Sequence, residues 1–247
     1  MRPPGTEALP ADAARPKLSV ARFWHRVLDL VFPPRCVSCD AFGAFICRRC
    51  GADMLPADGP RCETCWMPVS PSRPCRRCRS HRLVLREVRS AFVYDAAARD
   101  AVLALKFRGI SAVAPVMARS MAQCLNEWNP PVHSLVPVPL AGHRRRLRGY
   151  NQSELLAKEL SRQTGLPLAR RALVRPRSTP PQVRQTGEDA RRRNVVDAFA
   201  PGRHGPDGVV LLIDDVLTTG ATLDACARVL LGEGVDAVFA LTFARED

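Results

Sequence analysis

The chain has 247 residues, of which 46% are hydrophobic and 25% charged, and its formal net charge is +13. This length and hydrophobic content suffice for one α/β domain of modest size plus a small module. No apolar run approaches the 18 residues that a membrane span needs, and residues 1–22 lack the charged-then-apolar order of a secretory signal. We therefore expect a cytoplasmic protein with no membrane span.

The first 32 residues divide into two segments. Residues 1–22 are rich in proline before any apolar stretch, and we expect them to form a disordered tail. Residues 23–32 alternate aromatic, aliphatic and charged side chains, which predicts a short amphipathic helix that docks on the following residues. A location at a membrane surface is the alternative for this helix.

Eight of the ten cysteines fall in four C-x-x-C pairs. These pairs are Cys36 with Cys39, Cys47 with Cys50, Cys62 with Cys65, and Cys75 with Cys78. Two such pairs complete one tetrahedral thiolate site, so the eight ligands predict two structural Zn²⁺ ions in a module spanning residues 23–82. Four disulfides are the alternative, but a reducing compartment disfavours them.

The pairing of the four cysteine pairs remains open between two arrangements. Sequential ribbons would join the first pair with the second and the third with the fourth, and we favour this arrangement. A cross-brace would interleave the pairs. The two remaining cysteines, Cys124 and Cys226, lie within apolar helical patterns, which favours small core residues over nucleophiles.

Strands and helices alternate in the following part of the chain, which favours a parallel sheet for a domain spanning residues 83–247. The pattern predicts strands at 88–94 and 134–140 and helices at 96–105 and 111–128. Asn151, with Glu154 three residues later, resembles a capping box for a helix ending near Gln163.

Positive charge is concentrated in the next region. Residues 143–193 contain fourteen Lys or Arg and four Asp or Glu. Such segments either contact phosphates or form a solvated basic surface. Within them, residues 179–194 show no sustained periodicity and are either a mobile lid or a disordered connector.

The most informative segment is 209–222. Five apolar residues, Val209 to Ile213, predict a strand buried on both faces, with Asp214 and Asp215 emerging at its carboxyl end. The small, hydroxyl-rich turn 218–222 then leads into an apolar helical pattern. Backbone N–H groups in such a turn can bind one phosphate, while the carboxylates accept hydrogen bonds from ribose hydroxyls. A final strand is predicted at 237–243.

This segment resembles the phosphoribosyl-pyrophosphate (PRPP) motif of type I phosphoribosyltransferases. The resemblance implies a type I phosphoribosyltransferase-like α/β fold, with a parallel sheet flanked by helices and a small N-terminal zinc-ribbon module. It also implies that the acid pair binds ribose and that the turn binds the 5-phosphate. The turn residues concerned are Thr218, Thr219, Gly220, Ala221 and Thr222.

A narrower resemblance covers residues 23–247. The C-x-x-C series, Leu105–Gly109, Val136–Pro139, Arg148–Gln152, Thr179–Gln182, and Arg191 with Asn194 occur in the order typical of the competence protein F (ComF) family. The resemblance implies that PRPP, or a nucleotide, binds with Mg²⁺ and that Lys106, Arg148, Asn151, Gln182 and Asn194 contribute to its site. Arg191, Asp214 and Asp215 are the implied catalytic residues.

Two functions follow from these resemblances. The first is transfer of a phosphoribosyl group from PRPP to an unidentified nitrogenous acceptor, in a family linked to competence and DNA uptake. The second is a non-catalytic adaptor of natural transformation that contacts single-stranded DNA and DNA-uptake proteins. A cluster of arginines near the second ribbon, from Arg73 to Arg82, favours the second function.

Overall fold

Strands that alternate with helices form a four-stranded parallel sheet between residues 88 and 245. The computed structural model describes residues 33–70, 75–80, 82–176 and 198–247. The expected tail 1–22, the expected helix 23–32 and the whole of the expected lid or connector, 179–194, lie outside these ranges. Residues Arg35–Asp247 form one compact unit.

The sheet has four strands that share one direction. They are β1 (Val88–Val93), β2 (Ser134–Pro137), β5 (Val209–Leu217) and β6 (Ala237–Arg245). Their order is β1-β6-β5-β2, with Ile213 of β5 lying between Pro137 of β2 and Leu241 of β6. Two further strands, β3 (Leu173–Val174) and β4 (Ala200–Pro201), form a separate antiparallel pair. The α/β fold with a parallel sheet is confirmed.

Seven α-helices occur among the described residues. They are α1 (Arg48–Ala52), α2 (Arg76–Ser80), α3 (Ala96–Phe107), α4 (Ala114–Trp128), α5 (Gly142–Arg148), α6 (Gln152–Thr164) and α7 (Ala221–Gly232). A single 3₁₀ turn, Ser111–Val113, precedes α4. No helix in the described part of the chain is both long and apolar enough to cross a membrane.

The central strand β5 buries both of its faces, as its continuous apolar run predicts. Leu211 and Ile213 contribute to one core cluster with residues of α3, α4 and α6, whereas Val210 and Leu212 contribute to another with residues of α7. Successive side chains of a strand point to opposite faces, so one strand supplies both clusters. Helices on both faces thereby fix the position of the carboxyl end of β5.

The prediction that Asp214 and Asp215 follow the strand is wrong. β5 continues to Leu217, and Asp214 and Leu217 pair with Thr242 and Arg245 of β6. Hydrophobicity alone could not locate this strand end, because two carboxylates interrupt the apolar run although Asp215 and Leu217 are buried. Similarly, the predicted strand 134–140 ends at Pro137, and the helix α5 was not predicted.

The two cysteine clusters are built into this unit. Cys36 and Cys50 belong to the same core cluster as residues of α3. The backbone of Ala57 donates to Ala91 O at 3.1 Å, and Val93 N donates to Leu55 O at 2.8 Å. Residues 55–57 therefore pair along the outer edge of β1, which would otherwise expose unpaired N–H and C=O groups.

Candidate functional site

Two groups of four thiolates form the candidate metal sites. Cys36, Cys39, Cys47 and Cys50 make one group, and Cys62, Cys65, Cys75 and Cys78 make the other; within each group the sulfur atoms lie within 4.8 Å of one another. The sulfurs of Cys39 and Cys47 are 3.6 Å apart, and those of Cys65 and Cys75 are 3.5 Å apart. A tetrahedron with Zn–S bonds of about 2.3 Å requires sulfurs roughly 3.8 Å apart, so both groups fit structural Zn²⁺. The sequential pairing is confirmed.

A cavity of about 520 Å³ opens at the carboxyl edge of the parallel sheet. Seven of the residues predicted to bind PRPP line it, together with others that are described below. The seven are Lys106, Arg148, Asn151, Asp214, Asp215, Thr218 and Thr222. Residues from α3, α5, β5 and α7 thus converge on one space, where parallel α/β sheets bind their ligands.

The two carboxylates have different environments within this cavity. Asp215 is buried, with 3% of its surface exposed, and its Oδ1 accepts from Lys106 Nζ at 2.8 Å. Its second oxygen, Oδ2, is buried and has no hydrogen-bond partner among the described residues. Lys106 therefore balances the charge of Asp215, and Oδ2 keeps a hydrogen-bonding capacity that no described residue uses.

Asp214 is held by its neighbours at one oxygen. Its Oδ1 accepts from the Ser153 hydroxyl at 2.7 Å and from the Asp215 backbone N–H at 2.9 Å. Burial, followed by the charge of the adjacent Asp215 carboxylate, raises the pKa of Asp214 to about 7, against the lowering effect of the hydrogen bond from Ser153. A carboxyl group that changes protonation near neutral pH suits a binding or catalytic role.

Asn151 has a different environment from the one its predicted role suggests. Its Oδ1 accepts from Ser153 N at 3.2 Å, which caps α6, and its Nδ2 donates to Val138 O at 2.9 Å. Both ends of the amide are therefore occupied within the protein. Asn151 caps the helix, as predicted, but the bond goes to Ser153 rather than to Glu154.

The turn between β5 and α7 is shaped by one glycine. Gly220 has φ of +75°, a left-handed conformation that side chains disfavour, and a Cβ there would lie 3.2 Å from Leu83 Cδ1. Of the five predicted turn residues, Thr218 and Thr222 line the cavity, whereas Thr219, Gly220 and Ala221 are not among its lining residues. Thr219 Oγ1 instead accepts from Ala221 N at 3.3 Å.

The second cysteine cluster supports this turn from behind. Arg77, which lies between Cys75 and Cys78, donates from its guanidinium to Thr218 O at 3.1 Å. Asp224 in the first turn of α7 accepts from Val84 N at 2.7 Å, just after the cluster. Neither contact was predicted, because a sequence does not reveal which distant carbonyl an arginine reaches.

Several cavity residues were missed by the sequence analysis. Gln152 ends a recognised motif and Ser153 directly follows it, but neither was given a role, although Gln152 Oε1 is buried without a partner among the described residues. Arg175 also lines the cavity, and burial lowers the pKa of its guanidinium. Nothing in the sequence around Arg175 distinguishes it from the many neighbouring arginines. Gln182, Arg191 and Asn194 lie outside the described residues.

The fold and these sites define a class of protein in which a double zinc-ribbon module is joined to a parallel α/β domain. Comparison with known proteins agrees. Residues 27–79 match the double zinc ribbon domain family. Over 196 residues the chain is 30% identical to the competence protein ComFC of Bacillus subtilis, covering 76% of this chain and 79% of that protein.

Other relatives extend this result. The chain is 31% identical to the DNA utilization protein YhgH of Salmonella typhi, covering 72% of this chain and 80% of that protein. It is also 36% identical to competence protein F of Haemophilus influenzae over 115 residues, which cover 45% and 50% of the two chains. The chain therefore belongs to the competence protein F (ComF) family.

Proposed function

We propose that the cavity binds PRPP, or a related nucleotide, together with Mg²⁺ and transfers its phosphoribosyl group to a nitrogenous acceptor. The supporting observation is the convergence of the acid pair Asp214 and Asp215 with Lys106, Thr218 and Thr222 on one cavity at the carboxyl edge of the sheet. These residues belong to α3, β5, the turn after β5, and α7. A phosphorylated sugar offers hydroxyls to the carboxylates and a phosphate to the hydroxyls and the cation.

Each part of the ligand has a matching group. The Thr218 and Thr222 hydroxyls and the start of α7 would bind the 5-phosphate, since a helix N-terminus favours negative charge. Asp214 and the free oxygen of Asp215 would accept hydrogen bonds from the ribose hydroxyls. Arg144, Arg148 and Arg175 also line the cavity and would lie near the pyrophosphate.

In the proposed reaction, the bond between the anomeric carbon and the pyrophosphate oxygen breaks and a bond to the acceptor nitrogen forms. The acceptor loses a proton, and pyrophosphate leaves with the bonding electron pair. The cavity's carboxylates would stabilise positive charge at the anomeric carbon, and its arginines would stabilise the departing anion.

A cavity with carboxylate and amide oxygens suits a hard cation, and two of them, Asp215 Oδ2 and Gln152 Oε1, have no hydrogen-bond partner within the described ranges. When bound, Mg²⁺ would offset the charge of the pyrophosphate. The proposed lid residues Gln182, Arg191 and Asn194, and the catalytic role of Arg191, remain predictions from the family resemblance.

Pyrophosphate release tests the transfer reaction. We expect the wild-type protein with Mg²⁺ and PRPP to release pyrophosphate when the correct base is added, and the double variant Asp214→Asn/Asp215→Asn to release none. The exposed Asp236→Asn variant makes the same chemical change away from the cavity and serves as the control. PRPP binding without release across a panel of purine, pyrimidine and pyridine bases would contradict transfer while leaving binding intact.

A second candidate function is the handling of single-stranded DNA. The relatives carry the names competence protein and DNA utilization protein, and the exposed helix α5 carries Arg144, Arg145, Arg146 and Arg148 without an acidic residue. Arg76, Arg79 and Arg82 near the second cysteine cluster are also exposed. Basic surfaces of this kind bind the phosphate backbone in a salt-dependent manner.

Fluorescence anisotropy with a labelled single strand tests this candidate. Replacing Arg145 and Arg146 with Ser is expected to weaken binding and to reduce the dependence on salt by about one or two phosphate contacts. The Asp214→Asn/Asp215→Asn variant is expected to leave DNA affinity nearly unchanged. Equal DNA affinity of the arginine variant and the wild type would contradict a role for α5.

A further inference from the structure

A second pocket of about 720 Å³ adjoins the candidate PRPP cavity. The two spaces share the wall formed by Lys106, Phe107, Arg144 and Arg148. Only these shared side chains would therefore separate a ligand in the first cavity from a group in the second pocket. The function proposed above gives the first cavity a phosphoribosyl group but leaves its acceptor unplaced.

The second pocket is lined by apolar and aromatic side chains that remain exposed. Phe107, the last residue of α3, has 69% of its surface exposed, and Leu147 has 86% exposed. Both line this pocket. A protein gains nothing in stability from leaving a phenylalanine ring in water, and exposed apolar groups clustered in one concave site indicate a binding surface.

The aromatic rings of this pocket are held in position. The Arg148 guanidinium lies over the Phe107 ring, 4.9 Å from its centroid. The Tyr150 hydroxyl donates to Leu105 O at 2.6 Å, which fixes its ring in the pocket wall. Phe107 thus presents a flat surface whose orientation is set before a ligand arrives, which reduces the entropy lost on binding.

The polar groups of the pocket select the kind of ring that fits. Lys106, His143, Arg144 and Arg148 line it, and no Asp or Glu is among its described lining residues. Cationic donors recognise ring nitrogens and carbonyl oxygens, as arginine does with the O6 and N7 atoms of guanine. A base rich in exocyclic amino groups would find no carboxylate acceptor among these lining residues.

We propose that this second pocket binds the planar base of the acceptor or nucleotide product, stacked on Phe107, and that it selects oxo-purines or oxo-pyrimidines. The proposal rests on the phosphoribosyl site proposed above, because the base faces that site across the shared wall. The same ring chemistry occurs in a free nucleotide and in a single strand of DNA, and the experiment separates these sources.

The test compares inosine 5′-monophosphate with ribose 5-phosphate by calorimetry. The wild type is expected to bind the nucleotide at least tenfold more tightly, since one stacked base contributes about that factor or more. Phe107→Ser should weaken binding of the nucleotide at least threefold more than binding of ribose 5-phosphate, and so bring the two affinities within about threefold of each other. Cytidine 5′-monophosphate should bind the wild type more weakly than uridine 5′-monophosphate.

A matched control uses Phe42, which is 62% exposed and lies beneath the Arg35 guanidinium at 4.1 Å in the first cysteine cluster. Phe42→Ser removes an equivalent exposed ring and should leave both affinities at wild-type values. The proposal is overturned if Phe107→Ser preserves the preference for the nucleotide, or if the wild type shows no such preference.

Three further outcomes distinguish the base pocket from the proposed phosphoribosyl site and from single-strand binding. The base pocket alone is overturned if ribose 5-phosphate binds equally to the wild type and to Phe107→Ser and the nucleotide binds no more tightly than ribose 5-phosphate. A wild type that binds inosine through Phe107 but neither ribose 5-phosphate nor PRPP would overturn the phosphoribosyl site and keep the pocket. Loss of affinity confined to single-stranded DNA in Phe107→Ser would assign the ring to strand binding and overturn the nucleotide pocket.

Discussion

Asp214 lies in the wall of the candidate cavity and has a raised pKa. One of its oxygens is engaged by Ser153 and by the backbone of Asp215, so the carboxylate has a fixed orientation in the cavity. Burial, followed by the charge of Asp215, raises its pKa to about 7. The folded chain therefore keeps this group partly protonated under conditions where an exposed aspartate is fully ionised.

Ligand affinity should depend on pH through Asp214. Ribose hydroxyls donate to the ionised carboxylate, so we expect PRPP affinity to rise as the pH increases from 6 to 8. The Asp214→Asn variant retains an acceptor at the position of Oδ1 but cannot ionise. It should bind more weakly, and its remaining pH dependence should be that of the ligand phosphates alone. A wild-type profile identical to that of the variant would contradict a ligand role for Asp214.

Folding stability should respond to the same group in the opposite direction. The folded-state pKa lies above the ordinary value of 3.8, so the stability that the protonated form confers is present below pH 4 and is lost as the pH rises through about 7. Asp214→Asn is therefore expected to melt at a higher temperature than the wild type at pH 8, with the difference disappearing near pH 4. Equal melting temperatures at pH 8 would argue against this effect.

The pair formed by Lys106 and Asp215 is a second residue-scale feature. Lys106→Met leaves the Asp215 carboxylate buried without its partner, which should reduce the free energy of unfolding by about 3 kcal/mol. Urea denaturation measures the loss, and Lys158→Met on the exposed side of α6 provides a control. Adding Asp215→Leu to Lys106→Met should recover part of the stability. A single variant as stable as the control would show that the pair contributes nothing.

At the scale of single elements, the turn between β5 and α7 depends on the second cysteine cluster. Arg77 of α2 donates to Thr218 O, and Leu83 lies close to the position that a Cβ atom at Gly220 would occupy. The residues of this turn were predictable because hydroxyls and a glycine follow an apolar strand. Their support was not, since it depends on contacts between residues more than a hundred positions apart.

Arg77→Met tests this support. Without the guanidinium, the Thr218 carbonyl loses a charge-assisted hydrogen bond and the turn becomes less well positioned, so PRPP affinity should fall about fivefold to tenfold. Arg76→Met changes the exposed neighbour and should bind normally. Zinc content should be equal in both variants. Wild-type affinity in Arg77→Met would mean that the turn holds its shape without the second cluster.

Other elements show where sequence patterns lose their predictive value. The buried run Val209–Ile213 was recognised because a strand covered on both faces is continuously apolar. The helix α5 was missed because none of its residues is buried and its arginines have no apolar period. The ends of β5 and β6 were missed because Asp214 and Arg245, although charged, extend the two strands.

Across the whole molecule, the cysteine module and the α/β domain share buried interactions. Arg245 at the end of β6 is fully buried and donates to Cys65 O at 2.7 Å and to Asp247 at 2.8 Å. The Asp247 carboxylate also accepts hydrogen bonds from both terminal guanidinium nitrogens of Arg61, at 2.9 and 3.0 Å. The cysteine pattern predicted two metal sites correctly, but their integration into the sheet depends on arginines that the sequence presents as ordinary surface residues.

Metal removal should therefore affect the whole unit rather than the module alone. We expect chelation of Zn²⁺ to lower the melting temperature of a single cooperative transition, because the first cluster contributes Cys36 and Cys50 to the main core. Calorimetry before and after chelation measures this effect, and restoring Zn²⁺ should reverse it. Two separate transitions, with the upper one unchanged by chelation, would mean that the module and the domain unfold independently.

The proposal that the cavity binds PRPP is tested by a calorimetric titration of the wild-type protein with PRPP and Mg²⁺. The titration is repeated with Thr218→Val. The Thr218 hydroxyl is exposed in the cavity, so its replacement should not disturb folding. We predict binding of one PRPP per chain in the wild type and an affinity about tenfold lower in the variant, because a hydrogen bond to a charged phosphate is lost. Absence of binding heat and of a thermal shift in the wild type, or equal binding by both proteins, would contradict the assignment of this cavity to an anionic sugar.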